Sequence, residues 1–316
     1  MSLRRDCQLQ RLYGFGSSTH RASSFWGKMG DMNRGAIAIV DALGFKGIWG
    51  NPRQPSLSVL QTLKAIGTAA RTNISDAAPL LDRRNLPHTM ATMLKSPFIR
   101  VVQLSDTIVV AAGRRPRLRK PRKRTTDAWK KSRGLTLDQV EEIVDGYMLY
   151  LVGRCVCSIL KTAALCQPAL VYRGAVTIGR FAIDENFILG PAVDEAAELM
   201  DMADGPFVWL TPLAHRPRYM AVDADGPAWK DIALEYEVPL KNGRVLPTRV
   251  MNPLLSCSSE EKKKVEANIL EAMNSPQVDV AVKRANAKTF FDFIRRAETA
   301  ANTAGPETKD SSPSTG

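Results

Sequence analysis

Histidine is scarce in this chain and cysteine is unpaired. His20, His88 and His215 stand at no metal-ligand spacing, and the five cysteines, Cys7, Cys155, Cys157, Cys166 and Cys257, form no C-x-x-C pair. That pattern excludes a disulfide framework and a zinc finger, and it is ordinary thiol usage for a reducing compartment. Cys155 and Cys157 are two apart on an expected helix, so they point in different directions. A spanning helix needs about 20 mostly apolar residues. The most apolar candidate, 146 to 165, carries Arg154 and Lys161. The first residues lack the apolar core of a signal peptide. The expectation is a soluble, cytoplasmic protein with no membrane partner.

Acidic residues are outnumbered, 32 against 44 basic, giving a net charge of +12. The excess is local. Residues 114 to 133 hold 11 basic side chains and Asp127, a net of +10, which leaves +2 for the rest. The run 113–133 therefore reads as a basic flexible loop with Pro116 and Pro121. Such a run grips phosphate backbones without sequence preference. With a near-neutral body beside it, the default is a solvated excursion, and nucleic acid is not an expected partner. The chain is 44% hydrophobic, enough for a sizeable core.

The most informative stretch is Arg34 to Gly47. Ala36 to Val40 is an unbroken apolar run, the signature of a strand buried on both faces. It ends in Asp41, and Gly44 follows. A carboxylate at a strand end offers hard oxygen to a metal. A glycine turn into a helix offers backbone N–H groups to an anion. The alternative is that Asp41 caps the next helix.

Elsewhere, Ser56 caps an expected helix whose apolar face includes Leu57, Leu60, Leu63, the stem of Lys64 and Ala65. A second helical segment is expected over 77–94, broken at Pro87. Residues 98–104 and 107–112 are β-branched runs separated by Ser105 and Asp106, a hairpin with Asp106 at its tip. Asp tolerates the left-handed conformation that such a turn needs. A helix starts at Thr136 or Asp138 and reaches the low 160s. Residues 169–178 read as a strand containing Gly174, and 187–189 as a short one. Gly190-Pro191 opens a helix with Val193, Ala196, Ala197 and Met200 on one face. Strands are expected over 207–210 and 231–238, and helices over 260–273 and 280–297. The domain reading is an N-terminal arm (1–33), a catalytic domain (34–255), C-terminal helices (256–298) and a disordered tail (299–316). The order begins β-α-β-β-α-β, a ferredoxin-like α+β arrangement. It makes the first strand and the hairpin neighbours, so that Asp41 and Asp106 converge.

These residues resemble the class III nucleotidyl cyclases. Val40-Asp41-Ala-Leu-Gly44-Phe45 is similar to the first metal-binding strand of that family, and Ser105-Asp106-Thr107 to its second metal carboxylate. Arg173-Gly174-Ala-Val-Thr-Ile-Gly179 and Gly190-Pro-Ala-Val-Asp-Glu-Ala-Ala-Glu-Leu199 resemble the strand and helix that follow. The match runs in order from about residue 35 to 212. It implies two divalent ions, Mn²⁺ or Mg²⁺, on Asp41, the Ala42 carbonyl and Asp106. It also implies phosphate contacts from the 43–46 amides, including Gly44 and Phe45, and from Lys46. Family members are head-to-tail dimers, which implies a homodimer with sites between subunits.

The departures carry information. The family's ribose Asn and transition-state Arg fall on Asp194 and Glu198. Its purine-selecting Asp falls on Phe187, and its base-contacting Lys on Arg100. That combination is closer to the bacterial Pycsar pyrimidine cyclases of antiphage defence. Arg100 is an all-donor group, which favours the two carbonyls of uracil over cytosine. Trp49 or Phe45 either stacks on the base or joins the core. Arg180 is a candidate for the missing transition-state Arg, and Arg173 reads as structural. The expected activity is UTP to 3′,5′-cyclic UMP and pyrophosphate, with CTP to cyclic CMP as the alternative. A degenerate cyclase domain that binds nucleotide or nucleic acid is the reading from another class.

Overall fold

A computed structural model of the chain describes residues 32–43, 56–77, 98–114, 137–184, 187–215 and 229–303. The elements are β1 (Asn33–Ala42), α1 (Ser56–Ala77), β2 (Phe98–Leu104), β3 (Thr107–Arg114), α2 (Leu137–Leu165), β4 (Tyr172–Ile183), β5 (Ile188–Leu189), α3 (Pro191–Leu199), β6 (Val208–Leu210), α4 (Trp229–Ile232), β7 (Ala233–Pro239), β8 (Val245–Met251), α5 (Ser259–Ala272) and α6 (Val278–Thr303). This is an α+β fold on one mixed sheet of order β2-β3-β1-β4-β6-β8-β7, with β5 paired to β4. The β4–β6 pair is parallel and the other pairs are antiparallel.

β1 sits centrally because both its faces are apolar. Ala36, Ala38, Val40 and Ala42 face the core shared with α1 and α2. Ile37 and Ile39 face a smaller cluster with Val109, Ala175 and the α3 residues Ala192 and Ala196. Gly174 lets β4 lie against β1, since a Cβ there would meet the Ile39 carbonyl oxygen at 2.2 Å. A third cluster joins Trp209, Val238 and Val250 to Val265, Phe290, Phe291 and Ile294 of α5 and α6.

α2 is the core helix. Its stretch Glu141–Leu165 is long and apolar enough to cross a membrane by length and composition, despite Arg154 and Lys161. That corrects the expectation that the two charges disqualify it. Its apolarity has a local cause: 83% of the most apolar window is buried inside the fold, and a helix buried all round is hydrophobic all round.

Several other expectations are corrected. α1 buries Val59, Leu63, Ile66 and Ala70 while Leu60 is 47% exposed, so Leu60, Lys64 and Ala65 lie off the apolar face. α3 buries Ala192 and Ala196, while Ala197 faces solvent. β3 continues through Gly113 to Arg114, so the basic run leaves the sheet later than expected; residues 115–133 lie outside those described. β4 starts at Tyr172 rather than at Ala169. The expected strand over 231–238 begins as the short helix α4. α6 extends to Thr303, past the expected start of the tail. The sequence expectations include no strand over Val245–Met251, and a proline such as Pro247 argues against a central strand. It fits because β8 meets β6 only at Trp209↔Val250, leaving Pro247 opposite Glu237 with no neighbour on its other edge in that sheet.

One buried ion pair fixes α2 to the start of β1. Arg34 Nε and Nη2 donate to Asp145 Oδ2 at 3.0 and 2.7 Å. The Asp145 side chain is 3% exposed and that of Arg34 42%. Burial raises the Asp145 carboxyl above its usual range, and the hydrogen bond and charge of Arg34 oppose that rise. The net rise means that the folded state holds this proton more tightly than the unfolded chain does. Its contribution therefore falls as pH rises from the ordinary Asp value through the raised one. Arg34→Ala strands the carboxylate and is expected to cost about 3–5 kcal/mol in urea unfolding at neutral pH. That deficit should shrink on acidification. Asp145→Asn should cost less, since Arg34 keeps Glu141 at 3.1 Å and reaches water.

Candidate functional site

Register builds the site. Asp41 is the Cα partner of Thr107 on β3 and of Arg173 on β4. Residues directly opposite in a sheet share a face, so all three project from the side that carries Ile37 and Ile39. Asp106 precedes Thr107 in the β2–β3 turn. The left-handed residue of that turn is Ser105, at φ 60°, not the expected Asp106. A non-glycine residue there costs about 1 kcal/mol or more.

Thr107 Oγ1 donates to Asp41 Oδ1 at 2.8 Å. Arg173 Nη2 lies 3.8 Å from Asp41 Oδ2. Arg173 Nη1 also pairs with Asp201, which takes Lys241 Nζ at 2.6 Å. Lys241 arrives from the β7–β8 turn, held by its N–H on the Met202 carbonyl at 3.0 Å. Among the described residues, the buried Arg173 Nε and Tyr172 hydroxyl have no hydrogen-bond partner.

The carboxyl of Asp41 is raised above its usual range. Burial is the main cause, the charges of Asp106 and Asp201 add to it, and the Thr107 hydrogen bond and Arg173 oppose it. The Tyr172 hydroxyl is raised as well, by burial and then by Asp106 and Asp41. For Asp201, burial acts upward, but Lys241 and Arg173 outweigh it and hold the carboxyl below its usual range. The end of β1 is thus crowded with negative charge that one nearby guanidinium only partly offsets.

These donors fit a divalent cation. They are hard oxygens, and a cation between Asp41 and Asp106 would offset the like charge that adds to the effect of burial on Asp41. Among the described residues no cluster of three or more His, Cys, Asp or Glu forms a complete metal site. Mg²⁺-type ions need no such cage, since one or two carboxylates plus waters and substrate phosphates suffice. The buried thiols offer no competing site. Burial pushes Cys155 and Cys157 each up to about 12, and their Sγ atoms point apart, toward the Ala70 and Ile232 carbonyls.

No protein family model matches the chain, and no curated protein matches it. Among solved structures it is similar to the catalytic core of a rhodopsin-guanylyl cyclase with converted specificity, in complex with ATPαS. The TM-score is 0.34 at 9% identity, over 70% of this chain and 97% of that one. A likeness this loose fixes no chemistry.

The structure brings Asp41, Ala42 and Asp106 together. Arg100 is exposed on edge strand β2 opposite Ala111, four residues along β3 from Thr107. It shares the face of Asp41 but stands roughly 13 Å along the sheet from it. Phe187 is 72% exposed and leads into β5, which pairs with the far end of β4 at Ile183. That is roughly 33 Å of strand from Arg173. Asp194 is exposed in the first turn of α3, and Glu198 is exposed farther along it. Gly44, Phe45, Lys46 and Trp49 lie outside the described residues. Arg180 is exposed on β4 opposite Arg34, at the other end of β1 from Asp41.

Sequence reasoning missed Thr107 as a partner of Asp41, and missed Asp201 and Lys241 altogether. Thr107 lay within the quoted hairpin motif. The other two carry no local signal, because a turn and a loop bring them in. Arg173, read as structural, is the cation nearest Asp41 among the described ion pairs.

The raised Asp41 carboxyl has a signed consequence. The folded state binds its proton more tightly than the unfolded chain, so metal-free stability falls as pH rises from the ordinary Asp value through the raised one. Asp41→Asn keeps an acceptor for Thr107 and removes that penalty. Its melting temperature without divalent ions should exceed wild type at pH 7, and the gap should close toward pH 3.5.

Proposed function

We propose that this chain is a class III nucleotidyl cyclase, and that its substrate is a pyrimidine nucleoside triphosphate. The observation that carries the reading is that register sets Asp41 beside Thr107 and Arg173 at one end of β1, with Asp106 one residue before Thr107 and its charge acting on Asp41. The strand order β2-β3-β1-β4 with antiparallel neighbours supports a ferredoxin-like half within the sheet. The catalytic unit is taken as residues 34–255, with an arm before it and the C-terminal helices, which run through Thr303, after it.

The reaction is attack of the ribose 3′-hydroxyl on the α-phosphate with departure of pyrophosphate. Two divalent ions, Mn²⁺ or Mg²⁺, would supply a lowered hydroxyl pKa and charge neutralisation on the leaving group. Asp41, Asp106 and the Ala42 carbonyl would hold them. Thr107 fixes the Asp41 rotamer. Arg173 offers its guanidinium to phosphate oxygens, a planar fork suited to them. Gly44, Phe45 and Lys46 follow β1 in sequence, and the resemblance assigns them contacts to the phosphates.

Arg100 and Phe187 fall where purine cyclases carry base-reading groups, and both depart from them. An all-donor Arg100 favours uracil, so UTP to cyclic UMP is the first reading and CTP to cyclic CMP the second. Arg100 and Phe187 are far from Asp41 along the sheet, which is understandable if a second copy completes each site, with Asp194 among its contacts, in a homodimer. A cytoplasmic role as the signal-generating enzyme of a Pycsar-type antiphage system follows from the same resemblance.

Purified protein incubated with each ribonucleoside triphosphate and Mn²⁺ should give cyclic UMP, with the products identified by mass. Asp41→Ala and Asp106→Ala should each lower the rate by about three orders of magnitude, as loss of several kcal/mol of charge stabilisation requires. A cyclic purine product would overturn the pyrimidine assignment. No turnover, with salt-sensitive RNA or DNA binding instead, would point to the binding module.

A further inference from the structure

Arg173, which reaches Asp41, is already engaged elsewhere. Arg173 Nη1 and Lys241 Nζ meet on one atom, Asp201 Oδ1. Their backbones are fixed: Arg173 sits in β4 opposite Asp41, and the β7–β8 turn is tied to the loop after α3 through Lys241 N–H to Met202 O at 3.0 Å and Asp204 N–H to Pro239 O at 2.8 Å. The Asp201 side chain is 55% exposed and that of Lys241 40%. Two cations on rigid supports thus converge on one solvent-facing carboxylate at the edge of the acidic site.

That carboxylate is replaceable. An exposed ion pair is worth about 0–1 kcal/mol, and a polyphosphate brings several charges where Asp201 brings one. Asp201 cannot stay beside a bound polyphosphate without like-charge repulsion, which it already exerts on Asp41. We propose that Asp201 is a built-in counter-anion: it occupies the Arg173–Lys241 pair when no ligand is present and yields it to the polyphosphate of the bound nucleotide. It thereby sets how tightly this end of the site takes polyphosphate. The proposal rests on the reading of the site as one for nucleoside triphosphates.

The opposite role is a purely organising one, in which Asp201 holds Arg173 and Lys241 in place for the ligand. The two differ in sign. Calorimetric titration of the full chain with sodium tripolyphosphate in EDTA, where only protein cations bind, separates them. Asp201→Asn should tighten binding about three- to ten-fold, the exchange of one or two exposed ion pairs. It should also steepen the salt dependence. Lys241→Met should weaken binding and shrink the gain from Asp201→Asn in the double variant. Asp201→Ser gives the same reading with a shorter side chain should the Asn variant fold poorly. Unchanged or weaker binding in the Asp201 variants overturns the proposal. Tighter binding without turnover of any triphosphate would sink the cyclase reading and leave the counter-anion standing. Cyclase activity with no tightening would sink the counter-anion alone.

Discussion

The alignment of β1 between β3 and β4 governs everything else in this molecule. Asp41 faces Thr107 on one side and Arg173 on the other because Ala36 to Val40 pair in one register with both neighbours. A slip of one residue would turn Asp41 into the α2 core and bring Val40 to the open face. Two features resist that slip. Both faces of β1 are apolar and packed. Gly174 accepts the Ile39 carbonyl at a distance no side chain would permit.

β1 also carries opposite electrostatics at its two ends. At Arg34 a buried carboxylate on α2 is matched by a bidentate guanidinium, and the pair ties helix to strand. At Asp41 the balance is unfinished. Asp106 and Asp201 press on a half-buried carboxyl that Arg173 reaches at only 3.8 Å. Burial raises both carboxyls, but the first is held in a close guanidinium pair that ties helix to strand, while the second carries added like charge that a bound cation would relieve. Such local destabilisation is common where function sets the sequence.

The exposed groups beside the Asp41–Arg173 pair are of a different kind. Asp201 and Lys241 sit on a loop and a turn and are largely open to solvent. Loops positioned by a rigid scaffold are where binding groups collect. The buried β1–β3–β4 unit therefore fixes the acidic centre, while the surroundings can exchange partners without disturbing the core.

The sequence by itself determined the pieces that short-range patterning controls. The run 36–40 announced a strand buried on both faces, the Ser-Asp spacing announced a hairpin, and the apolar spacing after Asp138 announced the long helix. Asp41 and Asp106 were legible because each ends or turns a clearly patterned strand. Pattern could not choose the buried side of α1 or α3, because Leu60 and Ala197 are as apolar as the residues that packing selects. It could not reveal β8, since tolerance of Pro247 depends on which edge of the strand is paired. Only the tertiary structure decided that Arg173, Asp201 and Lys241 meet beside Asp41, because their meeting is set by strand register and by the docking of one turn on another loop, and neither leaves a trace in local sequence.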